Sequence, residues 1–141
     1  HGVYIPDNPL SSFLALSKDL SQNSDGNLEV REIYSLRLRD RAPLVVLSAC
    51  NTAANIANSG DEAQSISQAF LVSGARAVIA SLWSVDDEAT ALLMTTFYQN
   101  RATMSDSLAL IAAQKTVRDD KNHPLWKNPY YWAAFILVGR P

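Results

Sequence analysis

Continuous apolar runs along the chain alternate with polar segments, and three of these runs have the length of buried strands. They cover residues 44–50, 77–82 and 134–138. Unbroken runs of this kind are typical of strands buried on both faces of a parallel sheet. A shorter run at 12–16, followed by the Asp25-Gly26 pair and an apolar segment at 28–30, predicts a hairpin.

Helical periodicity fills the segments between these runs. It predicts a short helix at 30–36, a helix capped by Asp61 that ends at Gly74, a helix capped by Ser84, and a helix capped by Ser105. In the last of these the i, i+3, i+4, i+7 spacing predicts the following inward face. Its members are Leu108, Ile111, Ala112 and Lys115.

The order of strands and helices indicates an α/β fold in which right-handed crossovers join parallel strands. A sheet of three strands is thin for this class, so we expect further strands upstream of His1. The chain opens on His1-Gly2 without a methionine, and we therefore treat it as part of a longer polypeptide.

Composition and charge reduce the number of function classes that fit the chain. A net charge of −2 and a pI near 5.6 give no basic surface for nucleic acid, and no apolar run approaches the ~20 residues of a membrane span. The single cysteine excludes an internal disulfide and is compatible with the cytoplasm, where we expect the protein to be. His1, Cys50 and His123 are too few for a structural zinc site, so neither metal nor cofactor is expected.

Cys50 lies where the first buried strand ends, at the sheet edge at which α/β proteins bind ligands. A thiol needs a nearby imidazole to form a thiolate at neutral pH, because its free pKa is near 8.5. His1 is the candidate partner, whereas His123 precedes a proline and is interpreted as structural or solvated. Two alternatives stay open: Cys50 as a small buried side chain, and His1 as a tag remnant.

Four blocks of the sequence resemble the CHAT domain, a family similar to caspases and separases whose members often follow tetratricopeptide repeats in bacterial proteins. The blocks are residues 44–52 with Ser-Ala-Cys, 74–90 with Ala-Ser-Leu-Trp-Ser-Val-Asp-Asp, 97–98, and 131–139. The resemblance implies a three-layer caspase-like fold with a mostly parallel sheet flanked by helices. Residues 1–141 would form the C-terminal portion of one such domain, incomplete without its upstream strands.

The resemblance also implies a His–Cys dyad. Cys50 would attack the scissile carbonyl, His1 would act as general acid and base, and the N–H groups of Gly2 and Cys50 would form the oxyanion hole. Since the family's histidine lies in a His-Gly pair, it matches His1-Gly2. The histidine precedes the cysteine by 49 residues here, close to the separation of about 50 in caspases.

By the same resemblance, Ser81, Trp83 and either Asp86 or Asp87 line the pocket for the residue before the cleaved bond. An acidic residue there would favour lysine or arginine substrates, as in separases. The alternatives are that Asp87 belongs to the capping box of Ser84 and that Trp83 packs in the core.

The leading hypothesis is therefore a cysteine endopeptidase acting on proteins or peptides through a thioester. A rival is a catalytically silent scaffold that passes signals from a repeat domain to a partner. A non-peptidase thiol hydrolase of flavodoxin-like topology is less favoured, because the sequence has no Gly-x-Gly-x-x-Gly loop. The expected partners are the substrate and either the upstream polypeptide or a cleaved partner chain, without nucleic acid or membrane.

Overall fold

The computed structural model describes residues 1–18, 25–48 and 66–140, which include six strands and five α-helices. The strands are β1 (Gly2–Val3), β2 (Phe13–Ala15), β3 (Asn27–Glu29), β4 (Leu44–Leu47), β5 (Ala77–Ser81) and β6 (Phe135–Gly139). The helices are α1 (Val30–Ile33), α2 (Ile66–Ser73), α3 (Asp87–Asn100), α4 (Asp106–Arg118) and α5 (Pro129–Trp132), with short 3-10 turns at Pro9–Ser11 and Pro124–Lys127. Within these ranges, no helix combines the length and hydrophobicity that a membrane span requires.

The N-terminal strands form a small antiparallel sheet in the order β1-β2-β3. Its register places Gly2 opposite Leu14 and Phe13 opposite Glu29, which confirms the predicted pairing of the two short strands. β3 runs directly into α1, which a capping box starts: the Glu29 N–H donates to the Glu32 carboxylate at 2.8 Å. α1 ends at Ile33, earlier than the predicted residue 36.

The second sheet has the order β4-β5-β6, and β5 is its centre. β4 and β5 are parallel, with Leu44 opposite Ala77 and Leu47 opposite Ala80, as the apolar runs predicted. β6, however, is antiparallel to β5, with Ser81 opposite Phe135 and Ala77 opposite Gly139. The predicted parallel crossover to β6 is therefore wrong, and a mostly parallel sheet is not confirmed.

The direction of β6 follows from the helical hairpin that precedes it. After β5, α3 leads the chain away from the carboxyl end of the strand, and α4 packs against α3 and leads it back. Because the chain returns to the edge it left, it must enter β6 beside the end of β5. The Leu82 N–H donates to the Ala134 carbonyl at 2.9 Å at this point.

Helices cover both faces of the second sheet. Successive residues of a strand point to opposite faces, and Ile79 accordingly packs with α3 and α4, whereas Val78 and Ala80 pack with α1 and α2. All five residues of β5 are buried. The molecule is thus a mixed α/β structure whose central strand is enclosed by helices on two sides.

The buried residues of α2 include Ile66, Ala69 and Phe70. The inward face of α4 is not the predicted one. In α4 the buried positions are Asp106, Ala109, Leu110, Ala113 and Val117. The predicted face is turned outward, with Leu108 57% and Ile111 47% exposed, because small alanines allow α3 to approach the opposite side closely.

α3 is capped by Asp86 and not by Ser84. The Asp86 side chain accepts a hydrogen bond from the Ala89 N–H at 2.9 Å, and its backbone is non-helical, as an N-cap requires. Asp87 is consequently the first residue of the helix, where its negative charge interacts favourably with the positive end of the helix dipole. Ser105 caps α4 as predicted, by accepting from the Leu108 N–H.

Replacing the cap tests this assignment. We expect Asp86→Ala to lower the free energy of unfolding by about 1 kcal/mol, because the Ala89 N–H loses its acceptor. Ser84→Ala, the matched control at the position that the sequence favoured, is expected to change it by less than about 0.5 kcal/mol. Urea denaturation of the three proteins measures both values, and a larger loss at Ser84 would contradict the assignment.

A buried carboxylate joins the helical hairpin to the sheet. Asp106, at the start of α4, is 4% exposed and accepts hydrogen bonds from Arg101 Nε at 2.7 Å and from a terminal nitrogen of Arg76. Arg76 directly precedes β5, and Arg101 directly follows α3. Burial alone would raise the pKa of Asp106, but the hydrogen bonds and charges of Arg101 and Arg76 outweigh it and hold the pKa below its usual value.

This pKa shift predicts a dependence of stability on acid. Because the folded-state pKa of Asp106 lies below the unfolded one, its contribution is complete above the unfolded pKa of about 3.9 and is lost as the pH falls through the folded value. We expect Asp106→Asn to destabilise the protein by about 1–3 kcal/mol at pH 7. Urea denaturation from pH 7 to pH 2.5 should show the difference from wild type shrinking in the acid range.

The control is Asp119→Asn, which removes the exposed ion pair between Asp119 and Arg118 at the opposite end of the same helix. We expect no measurable change in unfolding, since exposed pairs are screened by solvent. A difference between wild type and Asp106→Asn that stays constant down to pH 2.5 would contradict the role given to Asp106.

Candidate functional site

A cleft of about 220 Å³ lies at the carboxyl ends of β4 and β5. Its lining comes from the chain start, the residue after β4, the end of β5, the first turn of α3 and the start of β6. The lining residues are His1, Ser48, Ser81, Trp83, Ser84, Val85, Asp87, Thr90 and Phe135. The sheet edge at which α/β proteins bind ligands therefore carries a cleft in this molecule.

The pairing of strands explains why these residues meet. Ser48 directly follows β4, and Ser81 is the last residue of β5, so the parallel register brings the two strand ends together. The antiparallel register then sets Phe135 opposite Ser81. His1 reaches the cleft from the first sheet, where its carbonyl accepts a hydrogen bond from the Ala15 N–H at 2.8 Å.

Trp83 serves both as a cleft wall and as part of the core. Its ring lines the cleft and also packs against the cluster formed by α3, α4 and β6. The indole N–H donates to the Tyr130 carbonyl at 3.0 Å. Tyr130 is in turn held at the start of α5, where its N–H donates to the Asn128 side chain at 3.0 Å. The two alternatives offered for Trp83 by its sequence position are therefore compatible.

The two neighbouring aspartates have different surroundings. Asp87 lines the cleft, and Thr90, one turn later on α3, lines it as well. Asp86 is not among the lining residues, and its carboxylate is engaged by the Ala89 N–H. Of the two acids proposed for substrate binding, the structure therefore brings only Asp87 to the cleft.

The structure describes Gly2 but not Cys50, the two other residues proposed for catalysis. Gly2 lies in β1 beside the cleft residue His1 and is paired with Leu14, but it is not itself a lining residue. Cys50 lies outside the described residues. Ser48, two positions before it, is the nearest described residue along the chain and does line the cleft.

Several lining residues escaped the sequence analysis. Ser84 and Val85 lie in the segment between Trp83 and α3, which was interpreted only as the start of a helix. Ser48 could have been predicted as a lining residue, because it lies two positions before the candidate cysteine in the same apolar run. Phe135 could not, since its place depends on the antiparallel direction of β6.

His123 lies elsewhere and has a structural environment, as expected from its position before a proline. Its ring stacks on Trp126 with 3.8 Å between centroids, and its nitrogens lie 3.4 Å from a Glu88 oxygen and 3.3 Å from an Asp120 oxygen. Across residues 1–18, 25–48 and 66–140, no group of three or more potential metal-ligating side chains is assembled.

Comparison with known families decides the family of the chain. Residues 1–140 match the model of the CHAT domain. The chain belongs to the CHAT domain family. This family is caspase-like, and the match confirms the resemblance carried by the Ser-Ala-Cys block and the segments that follow it.

The CHAT chain is also similar to a named repeat protein in two mammals. It is 33% identical over 105 residues to Tetratricopeptide repeat protein 28 of Mus musculus, which covers 74% of this chain and 4% of the mouse protein. It is 33% identical over 97 residues to the Homo sapiens protein of the same name, covering 68% of this chain and 4% of the human protein. The chain thus spans a small part of the length of these relatives, and both come from mammals, which does not support the bacterial setting that the resemblance implied.

Proposed function

We propose that this CHAT domain is a caspase-like cysteine endopeptidase, with Cys50 as nucleophile and His1 as general acid and base. The observation that carries the proposal is the cleft in which His1 and Ser48 lie together at the ends of β4 and β5. Cys50 follows the cleft residue Ser48 by two positions along the chain, and this short separation supports its choice as the nucleophile. Family membership supports the same pair of residues.

The chemistry is acyl transfer to the thiol. His1 takes the proton of the Cys50 thiol, and the sulfur forms a bond to the scissile carbonyl carbon. The carbonyl oxygen becomes an anion that the Gly2 and Cys50 N–H groups would stabilise by about 3 kcal/mol each. The anion collapses, the C–N bond breaks, and His1 donates its proton to the leaving amine. Water then attacks the thioester while His1 accepts a proton from it; the C–S bond breaks, the carboxylic acid leaves, and His1 returns the proton to the sulfur.

Asp87 supports a preference for lysine or arginine before the cleaved bond. Its carboxylate lies in the cleft lining beside Trp83 and Ser81, which would contact the aliphatic stem of a basic side chain. Asp86 does not compete for this role, because its carboxylate caps α3. The proposed specificity therefore depends on one of the two acids.

A second candidate function is a catalytically silent scaffold coupled to a repeat domain. It is favoured by the similarity to a protein that is named for its tetratricopeptide repeats. In this case the partners are the upstream repeats and a protein that they recruit, and the cleft would bind a segment without cleaving it.

Removing the nucleophile distinguishes the two functions. We expect Cys50→Ala and His1→Ala, made in the whole protein, to lower kcat/KM on a fluorogenic lysine or arginine peptide at least about a thousandfold. His123→Gln, the matched control at the other histidine, should keep near-wild-type activity because His123 lies outside the cleft. Cleavage by Cys50→Ala at the wild-type rate would refute the peptidase assignment.

The two aspartates provide an internally controlled test of specificity. We expect Asp87→Asn to reduce kcat/KM for arginine peptides relative to norleucine peptides by about ten- to a hundredfold, because a charge-assisted hydrogen bond is lost. Asp86→Asn removes the same charge one residue away but retains a good capping side chain. If Asp86→Asn changes the ratio more than Asp87→Asn does, the assignment of Asp87 is wrong.

A further inference from the structure

A second cavity, of about 560 Å³, lies at the opposite end of the sheet from the cleft. It is formed where the end of α3 and the turn into α4 approach the start of β5. Its lining residues are Arg76, Tyr98, Arg101, Ala102, Met104, Ser105 and Asp106. We name it the arginine cavity.

Its charge is positive although the chain as a whole carries −2. Among the lining residues that the structure describes, Asp106 is the one acid and faces two arginines, so a positive charge is left over. The carboxylate also holds both guanidinium groups in place, through Arg101 Nε and a terminal nitrogen of Arg76. Each arginine side chain is still about one-third exposed, at 36% for Arg101 and 33% for Arg76.

In the part of the chain that the structure describes, Asp106 is the only side chain hydrogen-bonded to Arg101. Asp106 accepts from Nε of Arg101, so the two terminal nitrogens of Arg101 can form the paired hydrogen bonds with which arginine binds a carboxylate. The guanidinium group is already oriented before a ligand arrives, so less entropy is lost on binding.

Apolar side chains complete the lining. Tyr98 is 53% exposed and Met104 45% exposed, and both lie beside the arginines. The Tyr98 ring packs edge-to-face with the ring of Phe97, at 5.2 Å between centroids. Aromatic residues, methionine and arginine are the types enriched in protein-binding surfaces, and here they occur together.

We propose that the arginine cavity binds an acidic peptide segment that also carries an apolar side chain. The residual positive charge selects the acidic group, and Tyr98 and Met104 would contact the apolar one. The cavity lies about 16 Å from the cleft along β5, judged from five strand residues. The site is therefore separate from the cleft and does not depend on the chemistry of Cys50.

The test is binding of a fluorescein-labelled peptide of alternating glutamate with leucine and phenylalanine to the whole protein. The comparison probe has glutamine in place of every glutamate. Fluorescence anisotropy should show saturable binding of the acidic peptide, weakened by salt, and at least about tenfold weaker binding of the neutral one.

Variants then locate the site. We expect Met104→Glu and Tyr98→Ala each to weaken binding of the acidic peptide by about tenfold, and both should fold normally because the side chains are exposed. Leu125→Glu is the matched control, since Leu125 is 76% exposed and lies outside the cavity. It should change the affinity less than about twofold.

Three results would overturn the proposal: no saturable binding of the acidic peptide, equal binding of the neutral peptide, or unchanged binding by Met104→Glu. Activity on the fluorogenic peptide, measured on the same Met104→Glu sample, reports the cleft separately. Failure of the arginine cavity and failure of the peptidase assignment are thereby distinguishable.

Discussion

The candidate site depends on the pairing of β4 with β5. Parallel pairing puts the residues that follow both strands at one edge of the sheet, and the cleft occupies that edge. β5 can occupy the central position because its residues are all buried, packed by the α3–α4 hairpin on one face and by α1 and α2 on the other. A shift of one residue in this register would exchange the two faces of β4 and move Ser48 out of line with Ser81.

The α3–α4 hairpin connects the two ends of the sheet. α3 begins at the cleft with Asp87 and ends near the arginine cavity, and its 14 residues have a length of about 21 Å. Asp106 anchors the far end of this hairpin to the strand that ends in the cleft. The same hairpin also directs β6 back along β5 and so supplies Phe135 to the cleft wall.

Sequence patterns predicted the local elements better than their arrangement. The runs at 44–50, 77–82 and 134–138 were recognised as strands, because buried strands need only continuous apolar residues. The direction of β6 was wrong although both long helices before it were predicted, since a strand's composition does not record its direction and the packing of α4 back against α3 decides it. In α4 both faces carry apolar residues, so periodicity alone favoured Leu108 and Ile111 over the smaller alanines that pack against α3.

The sequence likewise predicted part of the candidate site. His1, Ser81, Trp83 and Asp87 were named from the sequence and line one cleft. Asp86 was offered with Asp87 as one of two candidates for substrate binding, and in the structure it caps α3, a role that depends on where the helix begins. That Cys50 completes this cleft, and that the chain is the C-terminal portion of its domain, stay predictions.

The most direct measurement of the account is the pH dependence of alkylation of Cys50 by iodoacetamide in the whole protein. If His1 lies beside the thiol, the rate should rise through an apparent thiol pKa at least one unit below the free value of about 8.5. In His1→Ala the inflection should return towards 8.5. An inflection near 8.5 in wild type that His1→Ala leaves unchanged would contradict the dyad.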